Sequence, residues 1–206
     1  REEQPSDHGR EPRAPRIPCR PCARLRLRCA TLRAVVPLPF VFVVSNLAST
    51  PLAKTEVIER HPEARFAFSR PGLVTFKYAA ASESFGEDLV FARVAGRSLG
   101  KAETLDEALA LAPEVKVVHV FPRDPEDPPS VARAVAMRAL LAGRGLSTTP
   151  TGRGQRVLDV VVAEGEPLFV GMHAHGPGRW AIAGGLPEVV VPAESPSRAF
   201  AKLEEA

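Results

Sequence analysis

The chain has 206 residues, 45% of them hydrophobic and 25% charged, which is soluble-globular in character and enough for one large core or two small ones. The net charge of +3 is unevenly placed: residues 1–33 carry nine arginines against four acids, leaving 18 basic and 20 acidic groups in the rest. The basic balance therefore belongs to the tail, and the slightly acidic body excludes a global electrostatic case for nucleic acid. All three cysteines, Cys19, Cys22 and Cys29, also fall in the tail. Cys19 and Cys22 form a C-x2-C pair, but no second ligand pair follows at zinc-site spacing, so no metal is expected there. The Arg/Pro-rich segment 1–38 reads as a disordered arm or an upstream extension of the reading frame. A cysteine-free body fits a reducing cytoplasm. The run AVVPLPFVFVV (Ala34–Val44) is broken by Pro37 and Pro39 and is too short to span a bilayer, so neither a signal sequence nor a membrane partner is expected.

Folded structure is expected from Pro39, because FVFVVS (Phe40–Ser45) is an apolar run of strand length. A helix follows, with Ser49 or Thr50 as cap, Pro51 in the first turn, and Leu52, Val57 and Ile58 available for one face; Pro62 ends it. RFAFSR (Arg65–Arg70) and LVTFKY (Leu73–Tyr78) read as strands joined by a Pro71-Gly72 turn. A further strand is expected at Leu89–Val94, then a helix over Thr104–Ala112 with a capping box of Thr104 and Glu107.

VKVVHVF (Val115–Phe121) reads as a strongly apolar strand and PRDPEDPP as a stiff linker. From Ser130 a capped helix with a glycine stop leads to two strands, RVLDVVVAEG and PLFVGMHAHG, which Gly165 joins. The element order β-α-β-β thus occurs twice. A loop with Trp180 and Gly184-Gly185 leads to EVVVPAE and a last helix.

His173 and His175 alternate on one strand and share a face, and His119 lies on another; three histidines can hold zinc, but spacing alone does not bring His119 to the pair. GRSLGK (Gly96–Lys101) lacks both the first glycine and the final Ser or Thr of a phosphate-binding loop. No nucleophile elbow or telling carboxylate pair supports a hydrolase.

The last helix has Ser195 as cap, Pro196 at its first position, and Arg198 and Lys202 four residues apart on one face. Its segment VPAESPSRAFAKLEEA resembles the one that introduces the methyltransferase domain in the FtsJ-like, M-type bacterial large-subunit (23S) rRNA 2′-O-ribose methyltransferases. GMHAHGPGRWAIAGGLPEVVVP, FAFSRPGLVTFK (Phe66–Lys77) and FARVAGRSLGK (Phe91–Lys101) are similar to further segments of that family. The resemblance covers about residues 40–206.

The resemblance implies an α+β fold. A disordered 1–38 is followed by a ferredoxin-like β-α-β-β half (39–103), a THUMP-like RNA-binding α/β half (104–192), and the first helix (193–206) of a Rossmann-like methyltransferase domain. It implies ribosomal RNA as partner and S-adenosylmethionine as the family's cofactor. Lys202 matches the first lysine of the family's Lys-Asp-Lys-Glu-type catalytic set. An ammonium there would stabilise the alkoxide that develops as a ribose 2′-OH attacks the methyl group. Arg70, Lys77, Arg97, Lys101 and Arg198 are the candidate RNA contacts. The glycine-rich cofactor turn lies beyond Ala206, so this chain is expected to bind no cofactor and to be inactive by itself. The alternatives are a stand-alone non-catalytic RNA-binding protein and a small metalloenzyme built on His119, His173 and His175.

Overall fold

The computed structural model describes residues 39–176 and 181–186. The tail 1–38, Trp180, the EVVVPAE strand and the last helix with Arg198 and Lys202 lie outside the described residues. In chain order the elements are β1 (Phe40–Val44), α1 (Thr50–Arg60), β2 (Arg65–Arg70), β3 (Leu73–Lys77), β4 (Val94–Ala102), α2 (Leu105–Ala110), β5 (Val117–Pro122), α3 (Pro128–Leu141), β6 (Arg156–Val162) and β7 (Leu168–Ala174). A 3-10 turn at Ala183–Gly185 follows. The seven strands form one sheet in the order β2-β3-β1-β4-β7-β6-β5. Five of its six pairings are antiparallel, and only β5 and β6 run parallel, joined by the α3 crossover. The fold is a mixed α/β one on a mostly antiparallel sheet. No helix of the described residues is long and apolar enough to cross a membrane.

Both β-α-β-β passages are present, and they pair differently. In the first, β3 inserts between β1 and β2, which therefore point the same way without touching. In the second, β5 and β6 are direct neighbours, with β5 at the edge of the sheet and β7 on the inner side of β6. β4 joins the two, pairing with β1 on one edge and β7 on the other, so the position 103/104 falls at the end of a strand shared by both passages.

All three helices cover one face. Val41, Val43, Val74 and Phe76 pack with Ala53 and Val57 of α1, while Val118, Val120, Leu158, Val160 and Val170 pack with Leu105, Ala108, Ala134 and Leu141 of α2 and α3. Arg97 stands opposite both Val41 and Met172, which places the two clusters on the same side. The opposite face carries Phe42, Val44, Leu73, Val94, Phe121, Val161 and Phe169. The sheet curls toward this second face until its ends meet. At the β2–β3 turn, a Cβ on Gly72 would lie 3.3 Å from Cγ of Arg123, which follows β5 at the far edge. Gly72 has φ +79°, a conformation the Pro71-Gly72 turn requires of glycine.

The structure departs from the local expectations in four places. The strand expected at Leu89–Val94 begins only at Val94 and runs through GRSLGK. Phe85, Leu89 and Ala92 instead form an irregular plug against α1, and Glu56 accepts hydrogen bonds from Val90 N (2.8 Å) and Phe91 N (3.0 Å), which satisfies backbone that a strand partner would otherwise bind. The buried side of α1 is Thr50, Ala53, Glu56 and Val57, leaving Leu52 and Ile58 exposed. α2 has its expected Thr104 cap, whose Oγ1 accepts from Glu107 N at 3.2 Å, but it ends at Ala110. α3 starts earlier than expected, at Pro128 with Asp127 as cap, because Ser130 is buried and its Oγ accepts from Glu164 N at 2.9 Å.

Candidate nucleic-acid interface and a buried histidine cluster

Two constellations on the second face carry chemistry. The first is built around Phe68. In β2 the strand is bulged between Phe66 and Phe68, so Phe66 stands opposite Phe76 on the helix face, while Phe68 stands opposite Thr75 on the other. The Arg70 guanidinium carbon lies 4.9 Å from the Phe68 ring centroid and Lys101 Nζ lies 5.3 Å from it. Both cations are exposed and the ring is half-buried. The quadrupole of the ring attracts both charges and holds them near its faces.

Arg123 and Glu166 border the same crevice, with Arg123 Nη1 and Nη2 donating to Glu166 Oε2 and Oε1 at 2.8 and 2.9 Å. These bonds, with the charges of Arg123, Arg70 and Lys101, hold the Glu166 carboxyl below its ordinary pKa against the opposing effect of burial. Three cations therefore face one carboxylate around Phe68. The crevice itself encloses only about 20 Å³, too little for a small-molecule ligand, so the group is a surface patch. Two larger openings, of about 370 and 270 Å³, are lined by Asp124 and Glu126 and by Asp124, Asp127 and Glu164 against the single cation Arg123, a net negative charge that disfavours phosphate.

Of the four cations expected from sequence and described, Arg70 and Lys101 converge. Lys77 is at the other end of the strands, its Nζ 5.8 Å from the centroid of exposed Phe40. Arg97 is exposed on the helix face, opposite Val41. Arg123 and Phe68 were not singled out from sequence. The available signal was the alternation of aromatic and basic residues in RFAFSR, next to a strand turn.

The second constellation is His119, Asp159 and His173, on β5, β6 and β7. The register places His119 directly opposite Asp159 across the parallel pair, and Asp159 opposite Gly171, two residues from His173 on β7. Side chains two apart on a strand share a face, so all three meet on the same side. None of them has any exposure. The His173 ring pairs through Nδ1 with Asp159 Oδ2 at 2.6 Å. His119 Nδ1 is 3.9 Å from Asp159 Oδ1, beyond hydrogen-bond reach, and among the described residues neither that oxygen nor either nitrogen of His119 has a well-formed hydrogen bond. Desolvation lowers the His119 pKa below its ordinary value. The Asp159 carboxylate and the Thr148 backbone oppose this, while the charges of His173 and His175 add to it. Asp159 was missed from sequence, although a lone carboxylate amid RVLDVVV is itself a signal, because an unpaired charge in an apolar strand is costly.

A third unusual group is Arg93, buried at the entry to β4. Among the described residues no nitrogen of its guanidinium has a hydrogen-bond partner, and burial lowers its pKa to about 10, with Asp124 pulling it back up.

No family model matches this chain and no curated protein matches it.

Proposed function

We propose that this chain is the N-terminal RNA-recognition portion of an S-adenosylmethionine-dependent ribosomal RNA 2′-O-ribose methyltransferase, working in the cytoplasm. The observation that supports this best is the convergence of Arg70 and Lys101 on Phe68. Cations beside an aromatic face suit single-stranded or looped RNA, whose phosphates pair with the charges while an unstacked base lies on the ring. The near-neutral body fits recognition through a local patch rather than a broad basic surface.

In this reading β1 to β4 form the ferredoxin-like half. Their antiparallel order β4-β1-β3-β2 with α1 on one face supports it, although turns over residues 79–88 stand where a second helix would be expected. The elements from α2 to β7 form the THUMP-like half. Lys202 is the catalytic ammonium that stabilises the 2′-oxygen as it loses its proton, and Arg198, four residues before it in sequence, positions a phosphate. S-adenosylmethionine supplies the methyl group when bound.

Ultraviolet cross-linking of the chain to structured large-subunit rRNA, followed by peptide mapping, tests the proposal. The expected adduct is on the peptide that contains Phe68. Adducts confined to residues 1–33 would overturn it, since the arginine-rich tail alone would then account for binding.

A further inference from the structure

We propose that His119, Asp159 and His173 form a binding site for one divalent transition-metal ion, with zinc the first candidate, that ties β5, β6 and β7 together inside the protein. One donor atom from each residue lies within 4.8 Å of the others. The rings of His119 and His173 are 5.8 Å apart between centroids and tilted by 47°, so they do not stack; they flank the carboxylate from two sides. Two imidazoles and one carboxylate are a recurrent ligand set for zinc and for ferrous iron.

The case does not rest on residue identity alone. Among the described residues, both His119 nitrogens and Asp159 Oδ1 are buried without a well-formed hydrogen bond. Among the described residues, the other such side-chain atoms are confined to Arg93, His61 and His175. Leaving a carboxylate oxygen and an imidazole lone pair unsatisfied costs about 1–3 kcal/mol per group, more for the charge, and a cation removes both penalties at once. Binding releases protons, because each coordinating nitrogen must offer a lone pair. With its three central ligands inaccessible to solvent, the site suits a structural ion rather than a catalytic one. It is independent of the RNA reading, because Phe68, Arg70 and Lys101 take no part in it.

The test uses the full chain with Cys19, Cys22 and Cys29 changed to serine, so that tail thiolates cannot contribute. Metal-free protein is loaded with zinc or cobalt(II), gel-filtered, and assayed for metal content, cobalt d–d absorption and thermal midpoint. One equivalent of metal is expected, with a four- or five-coordinate cobalt spectrum lacking thiolate charge transfer. The midpoint should rise by several degrees at 100-fold excess over Kd. Asp159→Asn keeps size and hydrogen-bonding capacity and should lower affinity at least tenfold, with unchanged far-ultraviolet circular dichroism. No stoichiometric metal together with an unmoved midpoint in the otherwise unaltered chain overturns the proposal, however the variant behaves. Equal uptake by a folded Asp159→Asn variant overturns it too.

Discussion

Lys101 Nζ lies 5.3 Å from the ring centroid of Phe68, although their strands, β4 and β2, are separated by β3 and β1 in the sheet. Only the curl of the sheet allows this contact. It turns two surface cations from distant parts of the sequence into one patch with Arg70 and an aromatic ring at its centre.

The ring and the cations should contribute separably to RNA affinity. Phe68→Leu removes stacking while keeping the charges, so affinity should fall by about 1–3 kcal/mol with no change in salt dependence. Filter binding at several salt concentrations checks this. A change in slope for the leucine variant would mean that Phe68 acts by holding the cations in place.

Glu56→Ala should destabilise the fold by about 2–3 kcal/mol. It removes the buried carboxylate that accepts from the amides of Val90 and Phe91. Hydrogen exchange at those two amides should accelerate more than at β5, since the plug over residues 79–93 would loosen first. Uniform acceleration across the chain would show that Glu56 is not a local anchor.

Gly171 on β7 faces Phe42, whose ring occupies the space a Cβ would need. Gly171→Ala should therefore cost about 1–3 kcal/mol by overpacking. Adding Phe42→Leu should recover part of that loss, giving a favourable coupling energy in a double-mutant cycle measured by urea unfolding. Strict additivity would place the clash elsewhere.

Arg93→Met should raise stability by about 1–2 kcal/mol at neutral pH, because it removes a buried guanidinium with no hydrogen-bond partner. The pH dependence has a definite sign. Below pH 10 both the folded and unfolded chains hold the proton, and burial of the charge costs the folded state in full. Between about 10 and the higher ordinary arginine value the unfolded chain binds more protons than the folded one, so wild-type stability rises relative to the variant. The advantage of methionine should shrink over that window in paired thermal melts. A variant less stable than wild type at pH 7 would show that Arg93 has a favourable role in the fold.

How much of this was legible in the sequence depended on whether the signal was local. The Pro71-Gly72 turn, the strands flanking it and the Thr104 cap follow from residue chemistry within a few positions, and the structure has them where expected. β4 was expected over Leu89–Val94 and instead runs from Val94 to Ala102, through Gly96 and Gly100. Gly96 is required there by contact with another strand, since a Cβ would collide with the Met172 backbone oxygen. The face of α1 was misread because Glu56 turns inward to serve two distant amides. His119 and His173 were noted as metal-capable residues, yet their meeting around Asp159 depends on the β5–β6–β7 register, which no spacing within a strand encodes. Of the proposed RNA contacts, Arg70 and Lys101 converge for the same non-local reason.

RNA recognition by this patch is tested most directly by comparing the intact chain with its Arg70→Ala, Lys101→Ala double variant in filter binding to structured large-subunit rRNA across graded salt. Both proteins keep the arginine-rich tail, so the difference reports the patch alone. The double variant should bind at least tenfold more weakly at low salt. Its log–log salt slope should be shallower by about 1.5, the loss of two phosphate contacts. Equal affinity and equal slope for the two proteins would contradict the account.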